Sequence, residues 1–208
     1  MTRVVPTRDV EDELIGTGAR TVAGMDEVGR GALAGPVMVG VVVVDARTGP
    51  VPDGLADSKL LTPRRREAMV PVIEQWCAEW ALGEASAEEI DRLGIMAALG
   101  LAGSRALGAL AATPEVVVLD GTTSFLLEEH EGPRVVLRAK ADRDVACVAA
   151  ASVLAKVARD ALMVRLDGIH PSYGWAGNKG YGSAGHTDAI ARCGTTNLHR
   201  RSWNLGGV

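Results

Sequence analysis

Aromatic side chains are almost missing from this chain: one Phe, two Tyr and four Trp among 208 residues. The core must be built from aliphatic side chains and alanine, and few rings remain for stacking on bases. Cysteine is scarce as well. Cys77, Cys147 and Cys193 are odd in number and contain no CxxC pair. No disulfide framework is expected, and the thiols read as reduced, which places the protein in the cytoplasm. No Cys/His pairs stand at zinc-ligand spacing. The longest apolar run, residues 37–44, is far too short to cross a bilayer. No basic stretch followed by an apolar one opens the chain, so no secretory signal is expected.

An excess of positive charge is lacking too: 22 Lys and Arg face 26 Asp and Glu, for a net charge of -4. Proteins that coat nucleic acid are ordinarily basic. Any grip on phosphate must then be local. Candidate patches are residues 64–66, Arg134 with Arg138 and Lys140, and residues 199–201. What the chain does have is apolar content, 47%, enough for a sizeable core. Its length suits one domain with a modest extension.

Residues 1–20 are polar and aperiodic and read as a frayed lead-in. A strand over 21–25 runs into a glycine-rich turn, 29–35, and Pro36 introduces a valine-rich strand over 37–44. After a Pro/Gly loop, Thr62-Pro63 marks a helix start, with the helix expected to end at Gly83. Ser86 and Glu89 form a capping box for a helix to about residue 112. Short strands over 116–119 and 135–138 end near Asp120 and Arg138. Asp142 opens an alanine-rich helix to about residue 166, stopped by Gly168 and Pro171. The tail from Ser172 is glycine-rich, with a short helix expected over 188–192. This order predicts an α/β domain around a mixed central sheet flanked by helices, with a C-terminal appendage.

The segment Gly24-Met25-Asp26-Glu27-Val28-Gly29-Arg30-Gly31 places two acids where an apolar strand meets a flexible turn. Neighbouring strand residues point to opposite faces, so both serve one site only if the strand ends or twists there. A phosphate-binding P-loop is excluded, because Arg30 stands where Lys is required and Gly31 where Ser or Thr is. Gly29-x-Gly31-x-x-Ala34 formally matches a dinucleotide fingerprint, but a strand follows it, not a helix. Asp120-Gly121 alone reads as a turn, and Asp142 alone as a helix cap. In combination, three loop positions carrying acids each follow a core strand. Four gathered carboxylates repel one another, so a stable cluster implies bound cations. Hard oxygen ligands suit Mg²⁺ or Mn²⁺, and two such ions about 4 Å apart clamp an in-line phosphoryl displacement.

Asp26-Glu27-Val28-Gly29-Arg30-Gly31-x-x-x-Gly35-Pro36-Val37 resembles the signature of the ribonuclease HII family. The resemblance continues through Asp57-Ser58-Lys59, Asp120-Gly121, Lys140-Ala141-Asp142, the run 149–160, Asn178-Lys179-Gly180-Tyr181-Gly182 with His186, and His199-Arg200-Arg201-Ser202-Trp203. It covers roughly residues 21–203. It implies a ribonuclease H-like fold with a helical C-terminal extension. It implies a catalytic, metal-binding quartet of Asp26, Glu27, Asp120 and Asp142. It also implies two divalent ions, Mg²⁺ or Mn²⁺, and hydrolysis of RNA in RNA–DNA hybrids, with incision 5′ to a ribonucleotide embedded in duplex DNA. Residues 21–168 are then the catalytic domain, and 169–208 an extension that contacts substrate.

Within that family likeness, Gly29, Arg30, Gly31 and Tyr181 are expected to recognise the ribose-to-deoxyribose step, through the 2′-hydroxyl and a stacked ring. Lys59 and Lys179 (with Lys140) are candidate phosphate contacts. His186 is a candidate for proton transfer to the leaving group, against a structural hydrogen-bonding role. Asp160, the rival fourth acid, lies inside a helix and is expected in a surface ion pair. Where the family often has Lys-Gly-Asp, this chain has Lys140-Ala141-Asp142. A catalytically silent hybrid-binding module and a junction resolvase-like nuclease are the competing functions. No membrane partner is expected and a monomer suffices. The tail 204–208 shows no convincing clamp-binding motif.

Overall fold

The computed structural model describes residues 5–126 and 132–205. Helix α1 (Asp9–Gly16) leads into β1 (Thr21–Val28) and β2 (Val37–Asp45). Next come α2 (Pro63–Trp76), β3 (Glu79–Ala85), α3 (Ala87–Leu93) and α4 (Ile95–Gly108). Strands β4 (Val116–Asp120) and β5 (Arg134–Arg138) precede α5 (Ala141–Asp144) and the long α6 (Ala146–Ile169). Short helix α7 (Trp175–Asn178) and α8 (Ala184–Cys193) complete the chain. The strands form one sheet in the order β3-β2-β1-β4-β5. Strand β2 is antiparallel to both β1 and β3, whereas β1, β4 and β5 run parallel. The mixed sheet expected from the order of elements is present.

Strand β2 is buried along its whole length, which its near-continuous valine run requires of a strand covered on both faces. Val22, Val42, Val44, Val116 and Val118 pack on the alanines of α6. Ala23, Met25, Val39, Val41, Val117 and Leu119 face Ala98, Leu99 and Ala102 of α4. With so few rings, the core closes by bringing backbones together. A Cβ on Gly24 would lie 2.3 Å from the Val148 nitrogen and 2.4 Å from the Cys147 carbonyl carbon; one on Gly40 would lie 2.6 Å from the Ala151 oxygen. Helix α6 thus rests directly on β1 and β2.

Several expectations need correction. Residues 5–20 are not a frayed lead-in: α1 docks on the domain, and Thr7 bridges Val145. Glu11 is fully buried and accepts a 2.8 Å hydrogen bond from the Cys147 amide. The helix expected to end at Gly83 stops at Trp76, and the chain re-enters the sheet as β3, whose burial alternates along most of its length. The helix that starts at the Ser86 capping box breaks at Gly94, where φ is 77°. The helix expected to open at Asp142 is two, α5 and α6, separated by the extended Val145. The short C-terminal helix runs longer than expected, as α8.

Gly24→Ala should cost about 1–3 kcal/mol by overpacking the β1–α6 contact, checked by denaturant unfolding. Burial raises the Glu11 carboxyl above its ordinary range, against the Cys147 amide and the Arg8 charge. A raised carboxyl in the folded state means stability is fully present at acid pH and is lost as pH rises through the raised value. Glu11→Gln should remove that loss, so its melting temperature should gain on the wild type as pH rises from the ordinary carboxyl range towards neutrality.

Candidate active site

The parallel register puts the acids together. Val22 to Met25 of β1 pair in step with Val116 to Leu119 of β4, so Asp26 and Asp120 both stand one residue beyond the last pair. Both continue the face that carries Val22, Val116 and Val118, and so look towards α6. Asp120 pairs with Arg138 at the end of β5, and the next turn delivers Asp142 as the second residue of α5. Two parallel strands therefore carry carboxylates at their C-terminal ends and the third leads into one, at the end of the sheet where such folds usually place a site.

A cleft of about 300 Å³ opens there, lined by Asp26, Glu27 and Asp120, by residues 28–31, Ser58 and Lys59, and by Ser152, Lys156 and Tyr181. Asp26 is 5% exposed. Its carboxyl is held well above the usual range by burial first, then by Glu27, with Asp120 and Asp142 adding repulsion and Lys59 opposing it. Asp120 is raised by burial and by Asp142, against the amides of Ala141 and Asp142 and the Lys59 charge. One buried oxygen of Asp120, Oδ1, has no hydrogen-bond partner among the described residues. Asp142 is buried and accepts a 3.0 Å bond from Lys59 Nζ. Burial works against the Lys59 charge, but the Asp142 bond and the fields of Asp26 and Asp57 outweigh it and raise its pKa. Among the described residues, no group of three Asp, Glu, His or Cys side chains is gathered closely enough to enclose a metal ion. The quartet is electrostatically coupled but not drawn tight.

Strand β1 runs through both acids to Val28. Glu27 should face away from Asp26, yet it lines the same cleft and lies 3.6 Å from Arg30. Beyond Met25, β1 is paired with β2 and no longer with β4. Ala141 costs nothing where the resembled family often has glycine. The left-handed residue is Lys140, at φ 65°, and Ala141 is already helical.

Among the expected substrate-binding residues, a Cβ on Gly31 would meet nothing within 4 Å, which leaves its face open. Gly29 has a packing reason instead: at φ 85°, its Cβ would strike Arg159 Nε at 2.1 Å. Tyr181 is 37% exposed in the cleft wall. Lys179 lies outside the cleft, in the neighbouring groove beside Lys156, with its Nζ turned to the Ala176 carbonyl. Asp160 pairs with Lys156 and Arg66, in a part-buried cluster and not at the surface as expected. His186 is fully buried, with its ring nitrogens engaged by Tyr181, Trp175 and His199. That geometry fits the structural role and not proton transfer.

Sequence reasoning missed the groups that hold the cleft in shape. Arg159, inside α6 and fully buried, donates to the carbonyls of Pro36, Ala34 and Lys179 and lies 5.5 Å from the Tyr181 ring centre. Arg200, also fully buried, donates to the carbonyls of Gly29, Arg30 and Gly35. Burial and the nearby Arg159 charge lower its pKa to about 10. Residues 199–201 are thus no surface patch, because only Arg201 is exposed. Ser152 Oγ accepts from the Ser58 amide and so anchors the loop that carries Lys59.

Comparison with known proteins agrees with this architecture. The Ribonuclease HII family model matches residues 23–205. Ribonuclease HII of Streptomyces avermitilis is 47% identical over 199 residues, covering 95% of this chain and 83% of the relative. The crystal structure of ribonuclease H2 from Pyrococcus horikoshii OT3 superposes with a TM-score of 0.71 at 25% identity, covering 89% and 94% of the two chains. RNase HII of Archaeoglobus fulgidus, solved in a PCNA:RNase HII complex, gives 0.69 at 28% identity, covering 90% and 97%. The carboxylate edge, the Gly29–Gly35 turn and the helical C-terminal part thus lie within one continuous match, and the chain belongs to the ribonuclease HII family.

Proposed function

We propose that this chain is an endonuclease that hydrolyses the RNA strand of RNA–DNA hybrids and incises 5′ to ribonucleotides embedded in duplex DNA. What supports the chemistry is that Asp26 and Asp120 stand in step at the ends of β1 and β4, with Glu27 in the same cleft and Asp142 on the turn that follows β5. Two of these acids have carboxyls raised by burial and mutual repulsion. The unpartnered Asp120 Oδ1 and the all-oxygen donor set fit a hard divalent cation. Asp26, Glu27, Asp120 and Asp142 would hold Mg²⁺ or Mn²⁺. When bound, two such ions would activate water and stabilise the charge on the leaving 3′ oxygen.

The protein's own groups do the rest. Lys59, in the cleft wall, neutralises part of the quartet and pairs with Asp142 just behind the lining. Gly31 leaves room for a ribose to approach the backbone, and Tyr181 offers a ring for the next deoxyribose. Arg30, more than half exposed beside Glu27, is placed to meet a phosphate. Lys59 and Lys179 would position the duplex backbone, which fixes register and carries no base specificity. In this division residues 21–168 carry the chemistry, and the part from 169 onward shapes the substrate contact. By analogy with the Archaeoglobus complex, a sliding clamp is a candidate partner. Among the described residues, no helix is long and apolar enough to cross a membrane.

Asp120→Asn should lower cleavage of a hybrid by roughly 10²-fold or more, the scale of a lost electrostatic contact at a reacting centre, and should keep hybrid binding in a gel-shift assay. Cleavage at the wild-type rate would remove Asp120 from the site. A duplex carrying one ribonucleotide should be cut and a branched all-DNA junction left intact; the opposite preference would favour a resolvase.

A further inference from the structure

The Leu33 and Ala34 amides donate to the Gly180 carbonyl at 2.8 and 3.1 Å, which ties the two halves of the cleft wall together directly, and two buried imidazoles add a second link behind it. Thr196 N–H donates to His199 Nδ1 at 3.0 Å, so Nδ1 is an acceptor and the His199 proton sits on Nε2. That nitrogen lies 3.2 Å from His186 Nε2. Trp175 Nε1–H also donates to His186 Nε2, at 3.0 Å, so the His186 proton sits on Nδ1. His186 Nδ1–H then meets the Tyr181 carbonyl at 3.0 Å. With both rings neutral, Trp175 Nε1–H and His199 Nε2–H share the single lone pair of His186 Nε2. At the other end, the His199 backbone bridges Ala34. Its neighbours extend that link: the Gly35 amide donates to the Leu198 carbonyl at 2.8 Å, and the Arg200 amide to the Leu33 carbonyl at 2.9 Å.

We infer that His186 and His199 are positioning residues, a neutral two-imidazole strut that braces Tyr181 against the Gly29–Gly35 turn, beside the direct Gly180 bonds, and so tunes the enzyme's preference for a ribose-to-deoxyribose step. Neither histidine lines the cleft. It acts by holding the Tyr181 backbone at a fixed distance from a turn that is paired with the His199 segment. This inference rests on the assignment of Tyr181 as the reader of that step. Trp175 and Tyr173 enclose the pair, with ring centres 5.4 and 4.7 Å from His199.

The test is the ratio of kcat/KM on duplex DNA with one embedded ribonucleotide to kcat/KM on a continuous RNA–DNA hybrid. Both substrates are cut by one enzyme preparation, so an inactive fraction cancels. His186→Asn keeps a donor for the Tyr181 carbonyl and loses the reach to His199; His199→Asn breaks the same link from the other side. Either should lower the ratio by about tenfold, the scale of one lost buried hydrogen bond. His199→Gln, whose amide reaches the Nε2 position, should stay within about threefold of wild type. If one asparagine variant fails to fold, the other carries the test. Tyr181→Ala is the control. A ratio unchanged in the asparagine variants but lowered in Tyr181→Ala overturns the strut alone. A ratio unchanged in Tyr181→Ala overturns the Tyr181 assignment and the strut with it. A loss in His199→Gln equal to that in His199→Asn would mark a packing role and also overturn it.

Discussion

The parallel pairing of β1 with β4, and of β4 with β5, is the constraint on which the rest depends. It brings acids more than ninety positions apart in sequence to one sheet edge. The pairing is deep in the core, where Val117, Val118 and Leu119 are almost wholly buried. A one-residue slip would send Asp120 to the opposite face. The scarcity of large rings against the sheet serves the same end. Gly24 and Gly40 let α6 settle onto the sheet, which places Ser152 and Lys156 in the cleft wall.

Charge then decides what the edge can do. Gathered carboxylates are costly, and the cost shows in the raised Asp26 and Asp120. Lys59 relieves part of it from the free side through Asp142. The wall opposite is built by the reverse device. Arg159 and Arg200 are buried with no carboxylate within ion-pair distance among the described residues, and they direct their donors to the carbonyls of the Gly29–Gly35 turn, of Pro36 and of Lys179. A turn so rich in carbonyls turned inward needs donors from elsewhere, and two guanidiniums supply them.

The acids were legible because each sits at a visible boundary: Val-Val-Val-Leu-Asp is an apolar strand with a charge at its end, and Met25-Asp26-Glu27 meets glycines. Strand β3 was not legible. Glu79, Ala81, Leu82 and Glu84 are good helix formers, and only the neighbouring β2 makes them a strand. The helix break at Val145 was hidden for a similar reason, because it depends on Thr7, far away in sequence. Arg159, His199 and Arg200 were read as surface charge or passed over, because nothing local reports that a distant loop's carbonyls will enclose them. His186 was legible as a polar residue near Tyr181, but its partners come from two separate segments.

The account stands on the four acids drawing together around divalent cations beside a ribose. A crystal structure of the protein with Mn²⁺ and a duplex carrying one ribonucleotide, with manganese located by anomalous scattering, tests this most directly. The account predicts manganese peaks ringed by Asp26, Glu27, Asp120 and Asp142 and adjacent to the phosphate beside the ribose. Peaks bound elsewhere, with the quartet left empty, would contradict it.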